Sequence, residues 1–250
     1  MIVLKTSREL KVMREAGRIA ANALKIAGAA VKPGVSTWEI DHVAHNYIVE
    51  QGAVPTFLGY GGFPASACVS VNNVIIHGIP SKSHIIKEGD IVSIDVGATY
   101  KGFVGDNAWT FPCGKVSPEA QAIMDATKNS LFEGIKAAKA GARLGDVGSA
   151  IQKYAEARGY SVVREYVGHG VGAKMHEDPS VPNYGTPGRG VRLLPGMTIA
   201  IEPMVNQGVK EVKTLSDGWT TVTADGKLSA HFEKSIAITA DGPVILTDPN

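Results

Sequence analysis

Cysteine is almost missing from this chain: Cys68 and Cys113 are the only two among 250 residues. A disulfide framework is therefore excluded, and a reduced, cytoplasmic setting is the expectation. An excess of charge of one sign is lacking too. The 25 Lys and Arg against 24 Asp and Glu leave a net charge of +1, so no electrostatic case exists for specific nucleic-acid binding or for a membrane surface. No apolar run approaches the length of a transmembrane helix. The start, "MIVLKTSREL", turns charged and helical within a few residues, unlike a secretory signal. No low-complexity stretch and no long Pro/Ser linker divides the chain. What is present is an ordinary globular composition, 44 % hydrophobic and 20 % charged, with enough length to enclose a sizeable core.

Two acids stand out from that background. Strands disfavour Asp, yet the apolar run "IDVGATYKGFVGD" over 94–106 holds Asp95 near its start and Asp106 at its end. "GDIVSIDVGATY" and "FVGDNAWTF" read as two strands, and Lys101-Gly102 between them fits a two-residue hairpin loop. If Tyr100 pairs with Phe103, Asp95 faces Ala108, and Asp106 points to the same face as Asp95. A slip of one residue would separate them. Carboxylates that close repel unless a proton or a cation lies between them.

The helices are marked by their caps. "TSRE" opens one over about 6–31, with Leu10, Met13, Ala20, Leu24 and Ala27 on its apolar stripe. "STWE" opens a second over 36–51, which stops at Gly52. Ser117-Pro118-Glu119 starts a third, and a fourth runs over about 146–159. Helix pairs followed by strands suggest a duplication. Shifting the chain by 107 residues, Lys32 onto Lys139, also lays Gly34 on Gly141, Glu39 on Asp146, Tyr47 on Tyr154, Gly52 on Gly159 and Gly89 on Gly196. Asp95 falls on Glu202, the acid of "GMTIAIEP". Glu233 in "AHFEKSIAIT", sharing a face with His231 and Ser235, then supplies the second acid of the second half, after a longer connection. An α+β fold of two αα-β halves, about 6–110 and 117–240, is expected to bring these acids together across a pseudo-twofold axis.

One acid in a strand is ordinarily a hydrogen-bonded core residue or an edge residue in water. Four converging in a core cannot all stay ionised without cations. His169, flanked by glycines in "YVGHGVGAKMHEDP", offers an imidazole to the same centre. Oxygen donors with one imidazole suit Mn, Fe, Co or Zn. Two bridging carboxylates and three terminal ligands would make a dinuclear site, an arrangement that activates water.

In that order and context ("IDVGATYKGFVGD", "GHGVG", "IEP", "FEKSI"), together with "CVSVNNVIIHGIP" and "MHEDPSVPNYG", the chain resembles the methionine aminopeptidases in their short, bacterial type I form. The likeness covers nearly the whole chain and implies one catalytic domain, 1–250, of pita-bread fold with a curved, mainly antiparallel sheet. It implies that Asp95, Asp106, His169, Glu202 and Glu233 bind two divalent metals. The implied reaction is removal of the initiator Met from nascent polypeptides when the next residue is small. A metal-activated hydroxide attacks the Met carbonyl, and Glu202 relays the proton to the leaving amine. His176 stabilises the oxyanion and His77 contacts the scissile amide nitrogen. Tyr60, Phe63, Cys68, His77 and Trp219 match the family's Met pocket. Phe57 stands where relatives often carry a smaller residue, and Met175 where many bacterial ones carry Phe. A structural monovalent cation near Asn72, Val74 and Ser229, a monomeric state and a working place at the ribosome's exit tunnel are further implications. Two alternatives stand beside this reading. One is a Xaa-Pro aminopeptidase or prolidase of the same fold, a class that usually carries an additional N-terminal domain. The other is a non-catalytic peptide- or ribosome-binding relative, a kind that typically loses the ligands retained here.

Overall fold

A computed structural model describes residues 1–249. Its helices follow their sequence signals: α1 spans Ser7–Ala29, α2 Thr37–Glu50, α3 Pro118–Ala137 and α4 Leu144–Glu156. Both capping boxes form. Glu9 and Glu39 each reach back to the backbone N–H of their N-cap, Thr6 at 2.7 Å and Ser36 at 2.8 Å. The fourth helix begins two residues before its expected start. Its N-cap is Arg143, which has no hydroxyl to announce it; Asp146 accepts the Arg143 N–H at 2.8 Å instead. No helix among the described residues is long and apolar enough to cross a membrane.

All strand pairings among the described residues are antiparallel. The hairpin Ile91–Tyr100 and Phe103–Pro112 has the expected register: Tyr100 pairs with Phe103, Asp95 with Ala108 and Gly97 with Asp106. Lys101 and Gly102 both have positive φ, 47° and 80°, which matches the turn to the right-handed twist of its strands. Strands Val54–Pro55 and Ala67–Val71 pair in succession along the other edge of Ile91–Tyr100. In the second half, Thr198–Ile201 lies between Lys234–Thr239 and Gly168–Gly170, with Gly242–Ile245 and Glu177–Val181 at the edges.

The duplication extends to individual strand pairs. Moved by the same 107 residues, Val54–Thr99 and Pro55–Ala98 fall on Ser161–Asn206 and Val162–Val205, and all four pairs are present. It breaks at the second acid. Lys234 pairs with Ile201 and Met204 with His231, so the register carried between them sets Glu233 opposite Glu202. In the first half, Ala108 is the residue opposite Asp95. Glu233 therefore occupies the place of Ala108, and His231 that of Asp106. The expected single strand over 231–235 is also interrupted at Phe232 and Glu233.

Each half has its own apolar core. Ile19, Leu24, Ile40 and Ile48 of α1 and α2 pack on Val92, Ile94 and Val96. Ile123, Leu131 and Ile151 of α3 and α4 pack on Ile199, Ile201, Phe232 and Ile236. Each such side chain contributes about 1.5–3 kcal/mol on burial. Helix α1 sits very close to the hairpin: a Cβ on Gly105 would lie 2.4 Å from the Gly17 backbone. The halves meet along a seam. Asp106 and Ser235 bond through the serine hydroxyl, Ala108 O accepts the Glu233 N–H at 2.8 Å, and the Thr110 hydroxyl bridges the His231 N–H and C=O.

Asp41 ties α2 to the strand behind the hairpin. It is buried, and its Oδ1 accepts the N–H groups of Ser66 at 2.9 Å and Ala67 at 2.8 Å. Asp41→Ala strands both donors and should lower stability in urea unfolding by about 1–3 kcal/mol. Asp41→Asn keeps an oxygen at that position and should cost clearly less.

Candidate metal centre and substrate pocket

The five proposed ligands surround one cavity of about 220 Å³, smaller than the ~300–1,000 Å³ of drug-sized sites. The hairpin contributes Asp95 and Asp106, diagonal neighbours on one face. Glu202 follows strand Thr198–Ile201, Glu233 precedes strand Lys234–Thr239, and His169 is the middle residue of strand Gly168–Gly170. Asp106, His169 and Glu233 each place a donor atom within 4.8 Å of the other two. His169 Nε2 lies 3.4 Å from Asp106 Oδ2 and 3.5 Å from Glu202 Oε1.

This donor set fits divalent cations. Asp95 Oδ1, Asp106 Oδ1 and Glu233 Oε1 are buried without a hydrogen-bond partner among the described residues, a costly arrangement for carboxyl oxygens that nothing else engages. His169 Nδ1 is 2.8 Å from the Gly170 carbonyl and must donate to it, which turns Nε2 toward the acids. A backbone carbonyl behind the ring commonly fixes a ligating histidine in this way.

The electrostatics match a crowded anionic pit. Burial pushes the Asp95 carboxyl well up, reinforced by Asp106 and Glu202. Burial does the same to Glu233, with Asp106, Asp95 and Glu202 adding to it. Glu202 rises to about 8, through burial against the pull of His169. Burial opposes the charge of His169, but its hydrogen bond to Asp106 and the charges of Glu202 and Asp106 outweigh that and raise it to about 9.

The cavity walls gather the remaining expected residues. Phe57, Tyr60, Phe63, Cys68, His77, Met175, His176 and Trp219 all line it. Phe63 meets Trp219 edge-on at 5.2 Å. The Phe57 ring lies over Gly97, where a Cβ would come within 2.7 Å of it. Cys68 pairs with Asp95 across the strands, and burial together with Asp95 and Asp106 keeps its thiol protonated. His77 sits in the left-handed region at φ 58°, sparsely populated for a non-glycine residue. Burial, then the neighbouring His176, lowers it to about 4. His176 stands at the mouth, its ring 4.3 Å from that of His169 and its Nδ1 2.7 Å from the Tyr60 hydroxyl. Burial and His169 hold it below the usual histidine value.

Sequence reasoning gave no site role to two neighbours. His231, buried and lowered to about 3 by burial and His77, points an unpartnered Nε2 toward Glu202 Oε2 at 3.9 Å. Its alternation with Glu233 was the available signal. Tyr166 lines the cavity and meets His77 edge-on at 5.7 Å, and no pattern pointed to it. Away from the cavity, the Asn72 carbonyl accepts the Ser229 N–H at 2.9 Å, which brings together two of the three residues expected around a monovalent cation.

The family model described as Metallopeptidase family M24 matches residues 11–240. Methionine aminopeptidase 1 of Bacillus subtilis is 54 % identical over 247 residues, covering 99 % of both chains. Methionine aminopeptidase of Escherichia coli is 47 % identical, covering 98 % of this chain and 94 % of that one. The solved methionine aminopeptidase from Thermotoga maritima superposes with a TM-score of 0.98 at 46 % identity, over 99 % of this chain and 100 % of that one. The Xaa-Pro dipeptidase from Bacillus anthracis gives 0.79 at 25 %, with 99 % of this chain covering only 62 % of that longer one.

Cation binding requires a neutral His169 and ionised carboxyls. In the chelator-treated protein both His169 and Glu202 are held toward their protonated forms, the imidazole by the acids beside it and the carboxyl by burial. Titration with Mn(II) should therefore release protons, and affinity should rise as pH climbs toward 9. Calorimetry in two buffers of different ionisation enthalpy reads this directly; equal heats in both would contradict it.

Proposed function

The chain belongs to metallopeptidase family M24, and on that footing we propose that it removes the N-terminal methionine from polypeptides whose next residue is small. One observation carries the reading: Asp95, Asp106, His169, Glu202 and Glu233 converge on a small, aromatic-walled cavity in a chain that aligns almost end to end with methionine aminopeptidases. Those five residues would hold two divalent ions, of Co, Mn, Fe or Zn. When bound, the ions would supply Lewis acidity toward the scissile carbonyl and lower the pKa of the attacking water.

The protein groups do the rest. Glu202 takes a proton from the attacking water and returns it to the leaving amine. With the Tyr60 hydroxyl donating to His176 Nδ1 the ring proton sits on Nε2, and that N–H donates to the substrate oxygen as negative charge develops. His77, neutral near pH 7, contacts the scissile amide nitrogen. Phe57, Phe63, Cys68 and Trp219 hold the Met side chain, whose thioether suits aromatic walls. Nascent N-termini at the ribosome's exit tunnel are the proposed substrates, for a cytoplasmic monomer acting through a single catalytic domain. Two free, buried thiols suit that compartment. The monovalent cation near Asn72, Val74 and Ser229 would brace the second half.

Peptides beginning Met-Ala and Met-Gly should be cut, and Met-Lys and Met-Trp hardly at all, the difference lying in kcat/KM. Equal rates on all four, or preferred cleavage of Ala-Pro, would remove the assignment. His176→Ala should keep its metal and lose about 10²–10³ in kcat, the usual cost of one such donor. His169→Ala should lose metal first, as read by elemental analysis.

A further inference from the structure

Beside a second cavity that Lys5, His169, His176 and Glu177 line together, the segment before α1 packs against the loop that carries His176. Lys5 is its fixed point. The Lys5 side chain is 3 % exposed, and its Nζ lies 2.5 Å from Glu177 Oε2, the residue next to His176. Nζ also donates to Val3 O at 3.0 Å, and the Lys5 N–H donates to Gly196 O at 2.7 Å. The other Glu177 oxygen accepts the Lys174 N–H at 3.1 Å, closing the loop on itself. Gly172 packs flat on the lysine stem, where a Cβ would lie 2.4 Å from Lys5 Cε.

Stability alone does not account for a buried ammonium at this place. Taking both charges out of water costs about as much as their attraction returns, and apolar replacements of equal volume often do as well. What the pair does supply is a fixed separation between two segments 172 residues apart in sequence. The stretch between Gly170 and Glu177 has other ties: its ends pair across the strands, Val171 bonds Thr198 through both its N–H and its C=O, Gly172 O accepts from Val104 N at 2.8 Å, Gly172 N donates to Lys174 O at 3.1 Å, and His176 Nδ1 lies 2.7 Å from the Tyr60 hydroxyl. Among the described residues, the Lys5 contact is its one ion pair. We propose that Lys5 is a positioning residue for His176, setting the loop 172–177 through its buried ion pair with Glu177. This rests on His176 acting as the oxyanion donor.

The test uses Lys5→Met, which keeps the stem and removes the charge, and Glu177→Gln, which keeps the loop-closing oxygen and the fold should Lys5→Met misfold. Turnover of Met-Ala-Ser and amide hydrogen exchange of the loop are measured, each also in the His176→Ala background. Each single variant should lose about 10–100-fold in kcat, the effect of a displacement of about 1 Å, with KM nearly unchanged. In the His176→Ala background the same changes should add almost nothing, because the group they position is gone. The Lys174 amide should exchange at least about tenfold faster in either variant, reporting local opening. Kinetic losses that multiply with that of His176→Ala would show a general structural role and overturn the proposal. So would full turnover with unchanged Lys174 exchange. Should His176→Ala itself keep full turnover, the oxyanion reading falls, and the exchange of 174–176 alone decides whether Lys5 sets the loop.

Discussion

Four carboxyl groups crowded around one imidazole constrain the rest of this molecule. Burial and mutual repulsion push Asp95, Glu202 and Glu233 toward their neutral forms. Buried oxygens of Asp95, Asp106 and Glu233 have no hydrogen-bond partner among the described residues. Such a cluster opposes folding unless it is held rigidly by something else. The something else is backbone: a ten-residue-per-strand hairpin in full register, two helix pairs with their own apolar cores, and a seam of buried hydroxyl and amide bonds between the halves. The acids sit where neither half could place them alone.

The seam also shows how a duplicated chain makes an asymmetric site. The second helix of each half and the first strand pairs start at one offset, so the halves share a frame. The second acids do not repeat: Asp106 is diagonal to Asp95, while Glu233 is set opposite Glu202. One half thus presents two short side chains at a stagger and the other two longer ones face to face. His231 fills the place that Asp106 holds in the first half, and it turns toward Glu202.

Much of this was legible because local rules fixed it. A two-residue loop set the register of a ten-residue strand pair, and from that register alone Asp95 and Asp106 had to share a face. Capping residues marked three helix starts, and equal spacing exposed the duplication. The fourth helix start was displaced because a backbone N–H takes its bond from Asp146, with no N-cap hydroxyl to read. That Glu233 stands opposite Glu202 was not legible because an unequal connection hides register: spacing along the chain says nothing about which residue ends up opposite which. Tyr166 and the Lys5–Glu177 pair were invisible for the same reason, since partners so far apart leave no periodic trace. The residues of the pocket wall became visible only through likeness to a family, aromatic side chains being ordinary core material in any fold.

That unequal connection carries Trp219. Between Asn206 and Ser229 the chain leaves the second half, forms the ribbon Val212–Thr214 and Thr221–Thr223, and lays it against strand Val74–Ile76, next to His77. The Trp219 side of the cavity wall and the acid floor therefore belong to segments with separate anchors. The ribbon can lengthen, shorten or change composition without disturbing the hairpin that holds Asp95 and Asp106. A lineage could retune the shape of what is admitted while leaving the reactive centre untouched, so variation in selectivity should accumulate in 207–228 far faster than in the strands beneath it.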